Sequence, residues 1–166
     1  VGSRIVIAGP NSVSFVFAYL AAVRAGAAVT LASPMLQPTE LTKLLDETQP
    51  VMAIVSSDRD EQLDGHPTPR LTLQPGLNSI HTVIETCPPV TDLALRPNAL
   101  AHLAYTSGTT GKPKAIPLTH ANVLASVRGV ILAWRWTEAD VLVHALPMQH
   151  AHGLTALHLT LLTGSR

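Results

Sequence analysis

The chain of 166 residues carries a single cysteine, Cys87. One thiol excludes an internal disulfide and any cysteine-cluster metal centre, and it fits a reducing, cytoplasmic setting. Charge is sparse too. Asp, Glu, Lys and Arg make up 13% of the residues, about half the usual share, and the two signs cancel to a net charge of zero. No basic stretch occurs anywhere along the chain, which argues against a nucleic-acid partner. Long apolar runs are also missing. None approaches the ~18 residues of a membrane span, and Val1–Ala8, broken by Gly2 and Arg4, lacks the architecture of an export signal. What remains is an apolar fraction of 46% on a length suited to one domain. So much apolar content beside so little charge implies that part of the surface is normally covered.

Arg4–Ala8 is a short apolar run closed by Gly9, Pro10 and Asn11, the pattern of a strand ending in a turn. From Ser12 to Arg24 the period changes. Val13, Val16, Phe17, Leu20 and Val23 recur at three and four, which predicts a helix with these residues as its apolar stripe. Asn11 or Ser12 caps its start, and Gly26 lies just past its end. Ala27–Ala32 reads as a second strand. A second helix begins near Pro38, buries Leu41, Leu44 and Leu45 and stops at Pro50, after which Val51–Val55 is a third strand. Parallel strands need long crossovers and helices supply them, so the fold class is α/β: a layered, largely parallel sheet with flanking helices.

Between Gly65 and Asn98 prolines interrupt every period, and the segment reads as an excursion with at most one short strand, near Ser79–Ile84. A strand resumes at Leu100–Tyr105, followed by a loop, a short strand at Ala115–Leu118 and a helix from His120 to about Trp134 with Thr119 as N-cap. Val123, Val127, Val130, Ile131 and Trp134 share one side of that helix. Trp134 and Trp136, around Arg135, read as core packing plus one exposed ring. Val141–Leu146 is read as a further strand, and Gly153–Leu162 as a very apolar helix. The chain therefore divides into strand–helix repeats at 1–64, the proline-rich excursion at 65–98 and a loop-bearing portion at 99–166.

The loop joining the strands at Leu100–Tyr105 and Ala115–Leu118 carries the most chemistry. Thr106, Ser107, Thr109 and Thr110 offer hydroxyl donors, Lys112 and Lys114 positive charge, and Gly108 and Gly111 let the backbone approach a ligand closely. Polyphosphates require that combination. The common nucleoside-triphosphatase loop is not matched: Thr106 stands where its first glycine belongs, and Pro113 where it needs Ser or Thr. Pro113 also fixes the backbone between the two lysines, so they point in different directions.

Ala104–Lys114 closely resembles the phosphate-binding signature of the adenylate-forming enzymes, the superfamily of acyl-CoA synthetases, peptide-synthetase adenylation domains and luciferases. Leu118–Asn122 continues the resemblance, Leu146–Gly153 is similar to the motif bordering the acyl pocket, and Ala18–Ala27 to an early helix–turn segment. Trp134–His144 together with Leu146–Gly153 looks like the branch that includes malonyl-CoA synthetases. Two positions depart from the pattern: Ala115 replaces a usual glycine, and Gln149 a usual apolar residue.

The resemblance implies an ATP-dependent ligase of the large N-terminal-domain type. A carboxylate attacks the α-phosphate of ATP, pyrophosphate leaves, and a thiol, commonly that of coenzyme A, displaces AMP. It implies that Thr106, Ser107, Gly108, Thr109, Thr110, Gly111, Lys112 and Lys114 hold the β- and γ-phosphates, with magnesium as partner. His150, Gln149 and His152 would border the acyl and adenylate position. The carboxylic acid would be a fatty or short dicarboxylic acid. His144, His150 and His152 have no neighbouring cysteine or carboxylate to complete a zinc set, so no metal ligand is assigned. The adenine, ribose and catalytic-lysine elements of the family have no counterpart in these residues. The chain therefore reads as a portion of the N-terminal domain, inactive alone and prone to self-association through Leu154–Leu162. A peptide-synthetase adenylation domain and a non-catalytic nucleotide-binding module are the alternatives.

Overall fold

The computed structural model describes residues 2–74, 85–86, 93–106 and 114–166, with the side chain of Thr106 excepted. Four parallel strands open the fold: β1 (Arg4–Ala8), β2 (Ala28–Ala32), β3 (Met52–Ser56) and β4 (Arg70–Leu73). They are followed by β5 (Leu100–Thr106) and β6 (Lys114–Thr119). The sheet order is β4-β3-β1-β2-β5-β6, with β5 and β6 antiparallel and every other neighbour parallel. This is the α/β class with a largely parallel sheet and flanking helices.

Strand alternation sends successive side chains to opposite faces, and each face is closed by its own helix. On one side Val6, Ala8, Ala53 and Val55 meet Leu41 and Leu45 of α2 (Pro38–Thr48), together with Leu63. On the other, Ile7, Val29 and Ile54 meet Phe15, Tyr19 and Ala22 of α1 (Val13–Arg24). Pro38 stands in the first turn of α2, where its missing N–H costs nothing, and Gln37 and Glu40 form a capping box. Ser12 caps α1, its side-chain oxygen accepting the Phe15 N–H at 3.0 Å. The expected stripe of α1 is displaced. Phe15, Tyr19 and Ala22 are buried while Val13 and Phe17 are exposed, because the sheet receives the face one residue around from the most aliphatic one.

The excursion contributes to the sheet at a place that is not read as strand from the sequence: Arg70–Leu73 pairs with β3 as the edge strand β4. Its anchor is ionic and non-local. Arg70 pairs with Asp60 at 3.0 Å and Asp64 at 2.6 Å, and donates to the Leu63 carbonyl at 2.6 Å. Those partners belong to or border the short helix α3 (Ser57–Asp60) and the 3₁₀ turn that follows it at Glu61–Leu63. The strand expected near Ser79–Ile84 lies outside the described residues.

The last two helices are α4 (His120–Trp134) and α5 (Ala151–Thr163). Thr119 caps α4 as expected, exchanging hydrogen bonds with Asn122. Val127 is the buried residue of α4; Trp134 is 60% exposed, and the Trp136 Nε1–H donates to Ser165 Oγ at 2.8 Å. Val141–Leu146 is not a strand. Leu142 N–H donates to the Arg166 carbonyl and Arg166 N–H to that of Asp140, but no sheet neighbour among the described residues continues the ladder. His144 accordingly sits on an irregular segment.

Candidate functional site

Parallel strands bring their C-terminal ends to one edge of a sheet, and ligands of open α/β folds gather beyond that edge. Here β5 ends at Thr106, whose register partner across the antiparallel pair is Lys114. The expected phosphate loop is thus the connection of a β-hairpin, not a strand-to-helix turn. Its residues Ser107, Gly108, Thr109, Thr110, Gly111, Lys112 and Pro113 lie outside the described residues. Lys114 is exposed on β6, and Ala115 pairs with Tyr105 in regular strand geometry.

A cavity of about 390 Å³ opens beside this hairpin. Its walls come from β5 (His102–Tyr105), α4 (Asn122, Val123, Ser126) and α5 with the turn before it (Gln149–Ala151, Leu154, Thr155, His158). Gln149 and His150 line this cavity. His152 does not line the cavity and is exposed on the first turn of α5.

Asn11, in the turn that follows β1, positions this wall. Its Nδ2 donates to the Leu146 carbonyl at 2.8 Å and its Oδ1 accepts the Met148 N–H at 2.9 Å, so one amide side chain clamps the segment around Pro147. Met148 is buried against Phe15 and Tyr19. Gly153 completes the junction: a Cβ there would lie 2.2 Å from the Pro147 carbonyl oxygen, closer than any side chain tolerates. The glycine of this motif is a packing requirement that holds the turn against α5.

One feature of the cavity was not anticipated. Tyr19, wholly buried on α1, places its hydroxyl 2.9 Å from His102 Nε2 on β5 and 2.6 Å from His158 Nε2 on α5. The Tyr19 ring stacks on His102 at 5.5 Å between centroids and meets His158 edge-on at 5.6 Å. Burial pushes the Tyr19 hydroxyl well above the usual phenolic range, so it remains protonated. Burial, reinforced by His158, brings His102 down to about 4, and burial followed by His120 lowers His158. Both imidazoles are neutral near pH 7. The available signal was chemical: a histidine within an apolar strand and another within an apolar helix each need a partner when buried.

Among the described residues there is no group of three or more His, Cys, Asp or Glu that could hold a metal ion. No described helix is long and apolar enough to cross a membrane.

The chain is 32% identical over 148 residues to a mitochondrial malonate–CoA ligase of Mus musculus, covering 87% of this chain and 25% of the mouse protein. It is 30% identical over 166 residues to an oxalate–CoA ligase of Arabidopsis thaliana, covering 93% of this chain and 32% of that one. Its structure superposes on apo MatB from Rhodopseudomonas palustris with a TM-score of 0.90 at 27% identity, covering 99% of this chain and 34% of MatB. ATP-bound MatB gives 0.89 at 28% identity. The chain thus spans about a quarter to a third of the length of these relatives. The family model described as "AMP-binding enzyme" matches residues 1–166, and with the parallel sheet, the hairpin loop and the cavity beside it the chain belongs to that adenylate-forming family, close to its acyl-CoA ligases of the MatB-like branch.

Proposed function

We propose that residues 1–166 supply the ATP-phosphate loop and one wall of the acyl cavity of an acid–CoA ligase. The observation that carries this reading is the adjacency of the two: the cavity reaches Tyr105, one residue before the loop begins at Thr106. A carboxylic acid lying in the cavity would have its carboxylate near His150 and Gln149, facing the hairpin.

In this reading the loop from Thr106 to Lys114 takes the β- and γ-phosphates. Its backbone amides, hydroxyls and lysines stabilise the charge that builds on pyrophosphate as the carboxylate attacks the α-phosphate. They supply no nucleophile and no base. The Thr106–Lys114 strand pair ties the two ends of the loop to the sheet. The acyl group then passes to the thiol of coenzyme A and AMP leaves. Magnesium is the expected partner of the phosphates. His150 contributes polar contact at the reacting end, and the turn clamped by Asn11 holds it there.

The test is pyrophosphate release by the full-length protein carrying this segment, measured across malonate, short, medium and long fatty acids. Lys114→Ala is expected to lower turnover at least about 100-fold, as removal of a charged transition-state donor does. Turnover unchanged in that variant would remove the loop from the mechanism. Residues 1–166 alone are expected to give no sustained adenylate synthesis.

A further inference from the structure

Three elements meet at one buried hydroxyl. Tyr19 on α1 is wholly buried and does not line the cavity, whereas its two partners, His102 on β5 and His158 on α5, both do. The phenol oxygen lies 2.9 Å from His102 Nε2 and 2.6 Å from His158 Nε2. A phenol with one proton donates to one imidazole and accepts from the other, so both Nε2 atoms are satisfied whichever ring carries the proton there. The Tyr19 ring also stacks on His102 and meets His158 edge-on. Both imidazoles are neutral near pH 7, so hydrogen bonding and packing hold them, not charge.

Without that hydroxyl, two Nε2 atoms lose their partner at once. Leaving a buried polar atom unpaired costs more than a hydrogen bond contributes, so each ring would turn toward another partner. The partners open to them lie in the cavity: water, and the lining side chains Asn122 and Ser126 of α4. A ring turned that way fills space that a ligand would use. The space concerned is the part that takes an acyl chain. His150 precedes α5 and His158 is eight positions further on, a rise of about 12 Å along the axis from the end where the carboxylate reacts.

We propose that Tyr19 is a positioning residue whose hydroxyl holds His102 and His158 back in the cavity wall and so keeps the space open to the chain of the acid. The proposal rests on the acid–CoA ligase reading and deepens it. Tyr19 acts through the two histidines and touches neither the acid nor ATP, so its removal weakens acid binding and leaves the chemical step to the loop and the His150 turn.

The experiment is pyrophosphate release by the full-length protein with malonate, butyrate, octanoate and palmitate, KM being taken on the acid used fastest. Tyr19→Phe is expected to raise the KM for that acid about 10-fold, with kcat and the KM for ATP moving less than about twofold. A merely structural contact would not single out the acid. Adding His102→Val and His158→Leu to Tyr19→Phe removes the stranded polar atoms and should recover most of the loss, since no buried group is then left unpaired. No recovery would place the loss in packing around Tyr19, against the proposal. An acid KM unchanged in Tyr19→Phe, or an equal rise in the KM for ATP, overturns it while leaving acid activation standing. Should Tyr19→Phe fail to fold, the wild type decides by histidine-ring nitrogen NMR. Adding the acid should leave the Nε2 hydrogen bonds of His102 and His158 as they are in the free protein. A ring that gives up Tyr19 for the ligand overturns the proposal. Absence of pyrophosphate release with every acid would instead remove the ligase reading, and this proposal with it.

Discussion

The two halves of the sheet are built on different terms. From β1 to β3 the strands are covered on both faces, and Val6, Ile7, Val29, Leu41, Leu45 and Val55 are essentially inaccessible to solvent. Around β6, α4 and α5 apolar side chains face outward: Leu132 is 78% exposed and Val143 86%, with Ile116, Leu161 and Leu162 also exposed. The first half is a core closed on both faces of the sheet, with Met148 from the second half packed into it and Val13 and Phe17 left outward on α1. The second is a wall whose outer apolar surface is the kind that another molecule or segment covers. The candidate site lies at the wall, where chemistry depends on how firmly the closed half holds it.

Cutting into the closed half should therefore have the largest effect. Leu41 is fully buried between α2 and the sheet, so Leu41→Ala removes its burial and leaves a cavity that rigid strands cannot collapse. A loss of about 4 kcal/mol in unfolding free energy is expected by urea denaturation. A loss below about 1 kcal/mol would mean that this half is no more closed than the other.

The seam between the halves comes next. Gly153→Ala forces a methyl group against the Pro147 carbonyl, and the neighbouring atoms are backbone, which cannot swing aside. A cost of about 3 kcal/mol is expected, with movement of the turn that carries Gln149 and His150. Crystallography of the variant, showing that turn unmoved and stability unchanged, would break the idea that α5 is packed onto the turn through this glycine.

The third effect is on pH. His102 is neutral when folded because its affinity for a proton drops to about 4, whereas the unfolded chain titrates at the ordinary value of 6.5. Below the ordinary value the unfolded state binds more protons, so stability falls as pH falls through that window and recovers as pH rises. The neighbours facing it are Tyr19, which stays protonated, and His158 and His120, which both oppose a charge on His102. Acidification from about pH 7 to about pH 5 should cost about 2 kcal/mol through His102. His102→Gln should flatten that slope in thermal melts; an unchanged slope would place the acid sensitivity elsewhere.

How much of this was legible in the sequence follows the same division. The closed half follows from local pattern: Arg4–Ala8, the helix from Ser12, and the Pro38 and Pro50 boundaries all announce themselves within a few residues. Even there, Phe15 and Tyr19 outrank Val13 and Phe17 only because the sheet lies on their side of α1. Arg70–Leu73 was hidden because its stability comes from Asp60, Asp64 and a β3 edge, none of which a period reveals. Val141–Leu146 has the composition of a strand, but composition supplies no hydrogen-bonding neighbour. The Tyr19 relay joins residues 83 and 139 positions apart, beyond any local reading. Gln149 and His150, which line the cavity, belong to the Leu146–Gly153 motif, whereas His158 lies past it on α5 and no motif singles it out.

The smallest effect on stability bears most directly on the open wall. Leu132 and Leu161 are exposed, so Leu132→Gln with Leu161→Gln should change unfolding free energy by less than about 0.5 kcal/mol for each site. If these faces are contact surfaces, the same pair should shift residues 1–166 from associated species toward monomer in sedimentation at micromolar concentration, since apolar area is what drives such contacts. The contrast with Leu41→Ala is the informative quantity: same residue type, opposite sides of the comparison. A chain already monomeric before substitution, and unchanged after it, would show that the wall stays soluble without a cover and that outward leucines here are merely surface. A loss of stability as large as that at Leu41 would show that α4 and α5 bury more than their exposure indicates.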